Sequence, residues 1–207
     1  MAGALKGLLT KAVRSRRGAP LAERLIVGLG NPGEEYCRSR HNVGFMVVER
    51  LAGRWRLPWQ VPRNRSRLAT GEVAGAQVAL LEPLTYMNLT GHSVARVLRE
   101  LGLSPEQAMV VHDDVDLPLG RLRLRRAGSA GGHRGVQSTI DLLGTAEFAR
   151  LRVGVGRPLD GDVRQYVLAP FAPEEREELD QVLERAASAL ECWLAEGMEA
   201  AMNRYNG

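Results

Sequence analysis

Leu25–Phe45 reads LIVGLGNPGEEYCRSRHNVGF, and this stretch decides the fold. Arg24 to Leu29 is a short apolar run that breaks at Gly30, Asn31, Pro32 and Gly33, as a buried strand running into a tight turn does. From about Asn42 to Trp55 the residues Val43, Met46, Val47 and Leu51 recur at helical spacing, with Asn42 placed to cap that helix and His41 at its entrance. A strand, a glycine-containing turn and a helix are the start of an α/β domain.

Gly28, Gly30 and Gly33 also satisfy the G-x-G-x-x-G spacing of dinucleotide sites. Pro32 removes a backbone N–H that a pyrophosphate would use, and Glu34 and Glu35 follow where a phosphate-binding helix would begin. The better reading is a turn that presents Asn31 beside the strand end, with the glycines serving the turn.

Working outward, the loop LPWQVPRNRSR leads to a hairpin at about 67–82 turning at Gly75 and Ala76, then a helix from about Leu89 to Leu101. Ala108 to His112 is another apolar run, ending in Asp113, Asp114 and Asp116. Arg121 to Arg126 alternates Arg and Leu, giving a strand with one buried and one cationic face. AGSAGGHRG opens a helix to about Leu143, LRVGVG supplies the last strand, and the segment after Pro173 is an amphipathic helix with acids in its first turn. The expected fold is a single-domain, three-layer α/β/α architecture with a mixed, mostly parallel twisted sheet. Its boundaries are a basic N-terminal extension over 1–23 and a catalytic domain over 24–207; the extension reads as a flexible arm, with an extra helix or a targeting segment as alternatives.

The 28 Lys and Arg exceed the 24 Asp and Glu, and their distribution is uneven: +5 over residues 1–24, +5 over 25–172 and −6 over 173–207. A basic body suits a polyanionic partner, and the acidic tail suits a solvated helical face. Cys37 and Cys192 have no CxxC spacing, which points to a reducing compartment. No apolar run reaches the roughly 20 residues a bilayer span needs.

His41, Asn31, Asn88 and Asp113 each fall just past a strand or at a helix start, where open α/β sheets gather their sites. A histidine can take a proton from water, an aspartate on its other nitrogen fixes the tautomer, and asparagine amides can hold water or an oxyanion. Taken singly, each of these is better explained as a cap or turn residue than as a catalytic one. No G-x-S-x-G serine or placed cysteine offers a covalent route. The cluster His112, Asp113, Asp114, Asp116 matches no metal-ligand spacing, so neither metal nor cofactor is expected. The Arg-Leu strand is either a solvated edge or a phosphate-binding one.

The motifs LIVGLGNPGEEY…RHNVGF, LLEPLTYMNLTG, VVHDDVDLPLGR, GSAGGHRGV and LRVGVGRP, in this order, resemble bacterial-type peptidyl-tRNA hydrolase. The resemblance implies metal-free hydrolysis of the ester between peptide and tRNA, recycling tRNA from prematurely released chains, by a cytoplasmic monomer. A catalytically inactive RNA-binding relative on the same fold is the alternative. It assigns His41 as base, Asp113 as its partner, and Asn31 and Asn88 to the water and the peptidyl carbonyl. Tyr36 and Met87 would line the site near the terminal adenosine and peptide, while Arg123, Arg125 and Arg152 would meet the tRNA acceptor stem. Arg134 stands where many members have Asn, and is expected to bind acceptor-end phosphates or peptide carbonyls.

Overall fold

The computed structural model describes residues 22–158 and 160–206. The expected extension therefore lies almost wholly outside the described residues. Its last two residues are packed: Ala22 is buried, and the Glu23 N–H donates to the Gln77 carbonyl at 2.6 Å.

Six strands form one sheet in the order β2-β3-β1-β4-β6-β5: β1 Arg24–Gly28, β2 Ser66–Val73, β3 Ala76–Pro83, β4 Ala108–Asp114, β5 Leu122–Arg125 and β6 Ala149–Gly154. The four central strands are parallel, and β2 and β5 run antiparallel at the two edges. Helices α1 (Val43–Trp55), α5 (Arg176–Glu196) and α6 (Met198–Tyr205) cover one face, and α2 (Thr90–Leu101) and α3 (Arg134–Leu143) the other. A short α4 (Val163–Leu168), which the sequence pattern leaves unassigned, sits beside the turn that carries His41.

Alternation along the central strands sorts the core. Leu25, Val27, Ala79, Leu81 and Val110 face α2 and α3, while Ile26, Leu80, Met109 and Val111 face α1 and α5, all fully buried. Each Val, Leu, Ile or Met side chain among them contributes about 1.5–3 kcal/mol by leaving water. The three-layer mixed sheet is the one expected from the sequence.

Four local expectations need correction. The hairpin turns one residue earlier than expected, at Ala74 (φ 51°) and Gly75 (φ 81°), because Val73 pairs with Ala76 and a two-residue turn of this twist requires positive φ at both positions. Asn42 makes no capping bond to α1; its amide faces the turn after β1 instead. The glycines of the opening motif serve mainly close approach: a Cβ on Gly28 would lie 2.3 Å from the Gly44 carbonyl, and one on Gly30 would lie 2.7 Å from the Phe45 ring. Only Gly33, at φ 116°, needs its conformational freedom. Finally, the acidic tail is not merely solvated, because Arg50 and Arg54 on α1 pair with Asp180, Glu184 and Glu191 on α5.

Candidate active site

The strand ends deliver the site. Past Gly28 the chain turns through Asn31, β3 leads into a 3-10 turn over Met87–Leu89, and β4 ends on Asp113 and Asp114. Gly44 lets the first turn of α1 press onto the sheet, since a Cβ there would lie 2.5 Å from both the Leu29 and Val111 backbones. That approach sets His41, in the 3-10 turn over Arg40–Asn42, against the end of β4.

His41 Nδ1 lies 2.8 Å from Asp113 Oδ1. The carboxylate accepts there, so Nδ1 carries the proton of this bond and Nε2 is the outer nitrogen. Nε2 has no partner among the described residues, and the ring lines a cavity of about 790 Å³. Asn42 holds this turn in place: its Nδ2 donates to the Asn31 carbonyl and its Oδ1 accepts the Asn31 N–H, both at 2.9 Å. The pair copies a strand-to-strand ladder with one side chain. Asn31 in turn accepts the Met87 N–H on Oδ1 at 2.8 Å, and its Nδ2 has no partner among the described residues.

His133 is a member of the site that the sequence does not announce. It is the N-cap of α3, its Nδ1 accepting the Gly135 and Val136 N–H groups at 3.1 and 3.2 Å, and its Nε2 donates to Asp113 Oδ1 at 2.9 Å. With Nδ1 accepting from the α3 backbone and Nε2 turned to Asp113, both ring nitrogens of His133 are engaged. The available signal was a histidine closing a glycine-rich loop just before a helical pattern.

His112, buried beside it with ring centroids 4.7 Å apart, donates from Nδ1 to the Asp113 carbonyl at 2.8 Å. Burial, reinforced by His133, pushes its pKa down to about 3, so it is neutral at ordinary pH. Asp113 is 4% exposed. Burial alone would raise its carboxyl, but the attraction and hydrogen bonds of His133 and His41 outweigh that and hold it below the usual carboxylate range.

His41, Asp113 and His133 could also be taken for metal ligands. Their donor atoms are 2.8 and 2.9 Å apart, hydrogen-bond separations, whereas ligands about 2.0 Å from a tetrahedral zinc stand roughly 3.3 Å from each other. His133 also has its second nitrogen spent on the α3 cap.

The cavity gathers Asn31, Tyr36, His41, Met87, Asn88, Asp113, Arg125, Arg134 and Arg152 from the expected set. Arg123 lies outside its lining, exposed on β5, where Leu122 and Leu124 are buried and Arg123 and Arg125 exposed. Arg152 faces Arg123 across the β5–β6 pair and is ion-paired with the buried Asp114.

Two arginines brace the walls. Arg40, 6% exposed, binds Glu175 at 2.6 Å and lies over the rings of Tyr166 and Phe171, tying the segment around α4 to the His41 turn. Arg150 donates to the Ser129 carbonyl at 2.6 Å and the Ala146 carbonyl at 3.1 Å, joining the two ends of the α3 excursion.

A family model described as peptidyl-tRNA hydrolase matches residues 25–207. A peptidyl-tRNA hydrolase of Synechococcus sp. (strain JA-3-3Ab) is 49% identical over 196 residues, covering 94% of this chain and 87% of the relative. One from Chloroflexus aggregans is 50% identical over 184 residues, covering 88% and 98%. The crystal structure of peptidyl-tRNA hydrolase from Acinetobacter baumannii superposes with a TM-score of 0.84 at 34% identity, over 89% of this chain and 94% of that one.

Proposed function

Since this chain belongs to the peptidyl-tRNA hydrolase family and is a hydrolase of the peptidyl-tRNA ester, we propose the following division of labour among its side chains. His41 Nε2 takes a proton from a water molecule whose oxygen attacks the ester carbonyl carbon. The bond from that carbon to the ribose oxygen then breaks, and the proton passes from His41 to the departing hydroxyl. Asp113 keeps His41 in the Nδ1–H tautomer and stabilises the imidazolium that forms. Asn31 offers Nδ2 as a donor, and Asn88, exposed at the cavity wall, supplies a second amide for the water or the peptidyl carbonyl.

The observation that carries this reading is the 2.8 Å contact from Asp113 to the inner nitrogen of His41, with the outer nitrogen open to the cavity. A catalytically inactive RNA-binding role finds no support among the relatives, which carry the hydrolase name. The substrate's terminal adenosine and peptide would lie against Tyr36 and Met87. Its acceptor stem would run toward Arg125, Arg123 and Arg152, whose guanidinium groups suit phosphate.

We assign the activity to a cytoplasmic monomer, since one chain supplies every group named; among the described residues no helix is long and apolar enough to cross a membrane. Sedimentation of the free protein and of its tRNA complex tests the stoichiometry.

The activity test compares N-acetyl-aminoacyl-tRNA with aminoacyl-tRNA. Wild type should cleave the blocked substrate and largely spare the other, while His41→Ala loses about 10²–10⁴-fold in kcat. Equal turnover by wild type and His41→Ala would remove His41 from the mechanism.

A further inference from the structure

Arg134 is the first residue of α3, directly after His133, so its backbone is fixed while its side chain is exposed and lines the cavity. It makes no ion pair or hydrogen bond among the described residues. Among those residues the only carboxylates lining the cavity are Asp113 and Asp114, both buried and both engaged, with the two histidines and with Arg152 respectively. An uncompensated cation therefore faces whatever acyl group enters.

Its position within the cavity decides which part of the substrate it meets. The first turn of α3 packs on the 3-10 turn that carries Met87 and Asn88: Thr90 Oγ1 donates to the Gly135 carbonyl at 3.2 Å, and a Cβ on Gly135 would lie 2.5 Å from Met87 Sδ. Arg134 thus belongs to the wall bearing Asn88, whereas the strand-borne arginines expected to meet phosphate are on β5 and β6.

Resting on the proposed division of labour, we propose that Arg134 is a specificity-determining residue for the acyl group: its guanidinium favours peptides with an acidic residue near the ester and disfavours those with a cationic residue there. A carboxylate can be held bidentately by this group, and backbone carbonyls can accept from it, whereas an ammonium meets like charge. Two unit charges about 6 Å apart in a half-screened cleft interact enough to change kcat/KM by about tenfold.

The test uses one tRNA loaded with N-acetylated dipeptides that share the esterified residue and differ only at the residue before it: Asp, Asn or Lys. Wild type should prefer Asp over Lys by about tenfold, and added salt should compress that ratio. Arg134→Lys should keep the order, Arg134→Asn should bring the ratio close to one, and Arg134→Glu should invert it. If Arg134→Asn keeps the wild-type ratio, the assignment is overturned. It is equally overturned if that variant slows all three substrates alike and flattens the salt dependence of tRNA binding, the signature of a phosphate-binding role. Wild type that cleaves none of the three would instead remove the underlying hydrolytic mechanism, an outcome distinct from a flat ratio.

Discussion

His41 and His133 meet on a single oxygen, Oδ1 of Asp113, at 2.8 and 2.9 Å. The two rings are not equivalent. His133 spends its other nitrogen on the backbone of α3, while His41 leaves its own open to the cavity, so only His41 is free to exchange a proton with substrate.

Asp113→Asn offers that shared position an amide in place of a carboxylate. Whichever way the amide turns, it cannot accept from both histidines and also stabilise an imidazolium. A kcat loss of about 10²–10⁴-fold with little change in KM is expected. Single-turnover hydrolysis of N-acetyl-aminoacyl-tRNA, with circular dichroism to establish folding, measures it.

His133→Ala removes both the α3 cap and one donor to Asp113. The lost cap should cost about 1 kcal/mol of stability, and loss of a hydrogen bond to the carboxylate proposed to orient His41 should lower kcat by about 10–100-fold, by analogy with the partners that orient metal ligands. His133→Asn can restore the cap. Recovery of stability in that variant without recovery of kcat would separate the two roles, whereas a kcat unaffected by either substitution would confine His133 to capping.

How much of this could be read in the sequence depended on how local each cause was. Asp113 was legible because it closes an apolar run, and His41 because it stands at the entrance of a helical pattern, both places where open sheets build sites. Leu122 and Leu124 were legible from period-two alternation alone. His133 was not, because its role needs the end of β4 beside α3, which no local pattern records. Asn42 has the sequence of a cap because Asn before a helix usually caps it; the Gly28–Gly44 approach brings the chain after β1 close enough to claim its amide instead. The short α4 has too few residues to establish a period.

Arg123→Ala combined with Arg125→Ala should weaken tRNA binding and reduce the slope of log affinity against log salt by about 1 for each phosphate left without its arginine. Hydrolysis of a minimal substrate lacking the acceptor stem should change far less. Filter binding across a salt series measures the slope, and an unchanged slope would return β5 to a solvated edge.

Glu82 links stability to pH away from the cavity. It is 3% exposed, and burial, with Glu49 adding to it against the opposing pull of Arg67, raises its pKa to about 7 from an ordinary 4.5. The folded state therefore binds this proton more tightly than the unfolded chain. The associated stability is fully present below pH 4.5 and is lost as pH rises through about 7, amounting to on the order of 3 kcal/mol. Glu82→Gln cannot ionise, so the stability difference between variant and wild type should move in the variant's favour by that amount between pH 4.5 and 8. Urea unfolding at intervals across that range reads the change, and a pH-independent difference would refute it.

The paired bonds between Asn42 and Asn31 make the seat of the proposed base intolerant of near-neighbours in side-chain chemistry. Aspartate has the right length but would set an oxygen against the Asn31 carbonyl, leucine has the bulk but neither bond, and glutamine is one methylene too long for this spacing. A displacement of about 1 Å at a catalytic group costs about 10²-fold in rate. On the proposed mechanism, the alignment of the histidine is thus delegated to a neighbour buried away from the cavity, whose paired bonds neither aspartate, leucine nor glutamine reproduces.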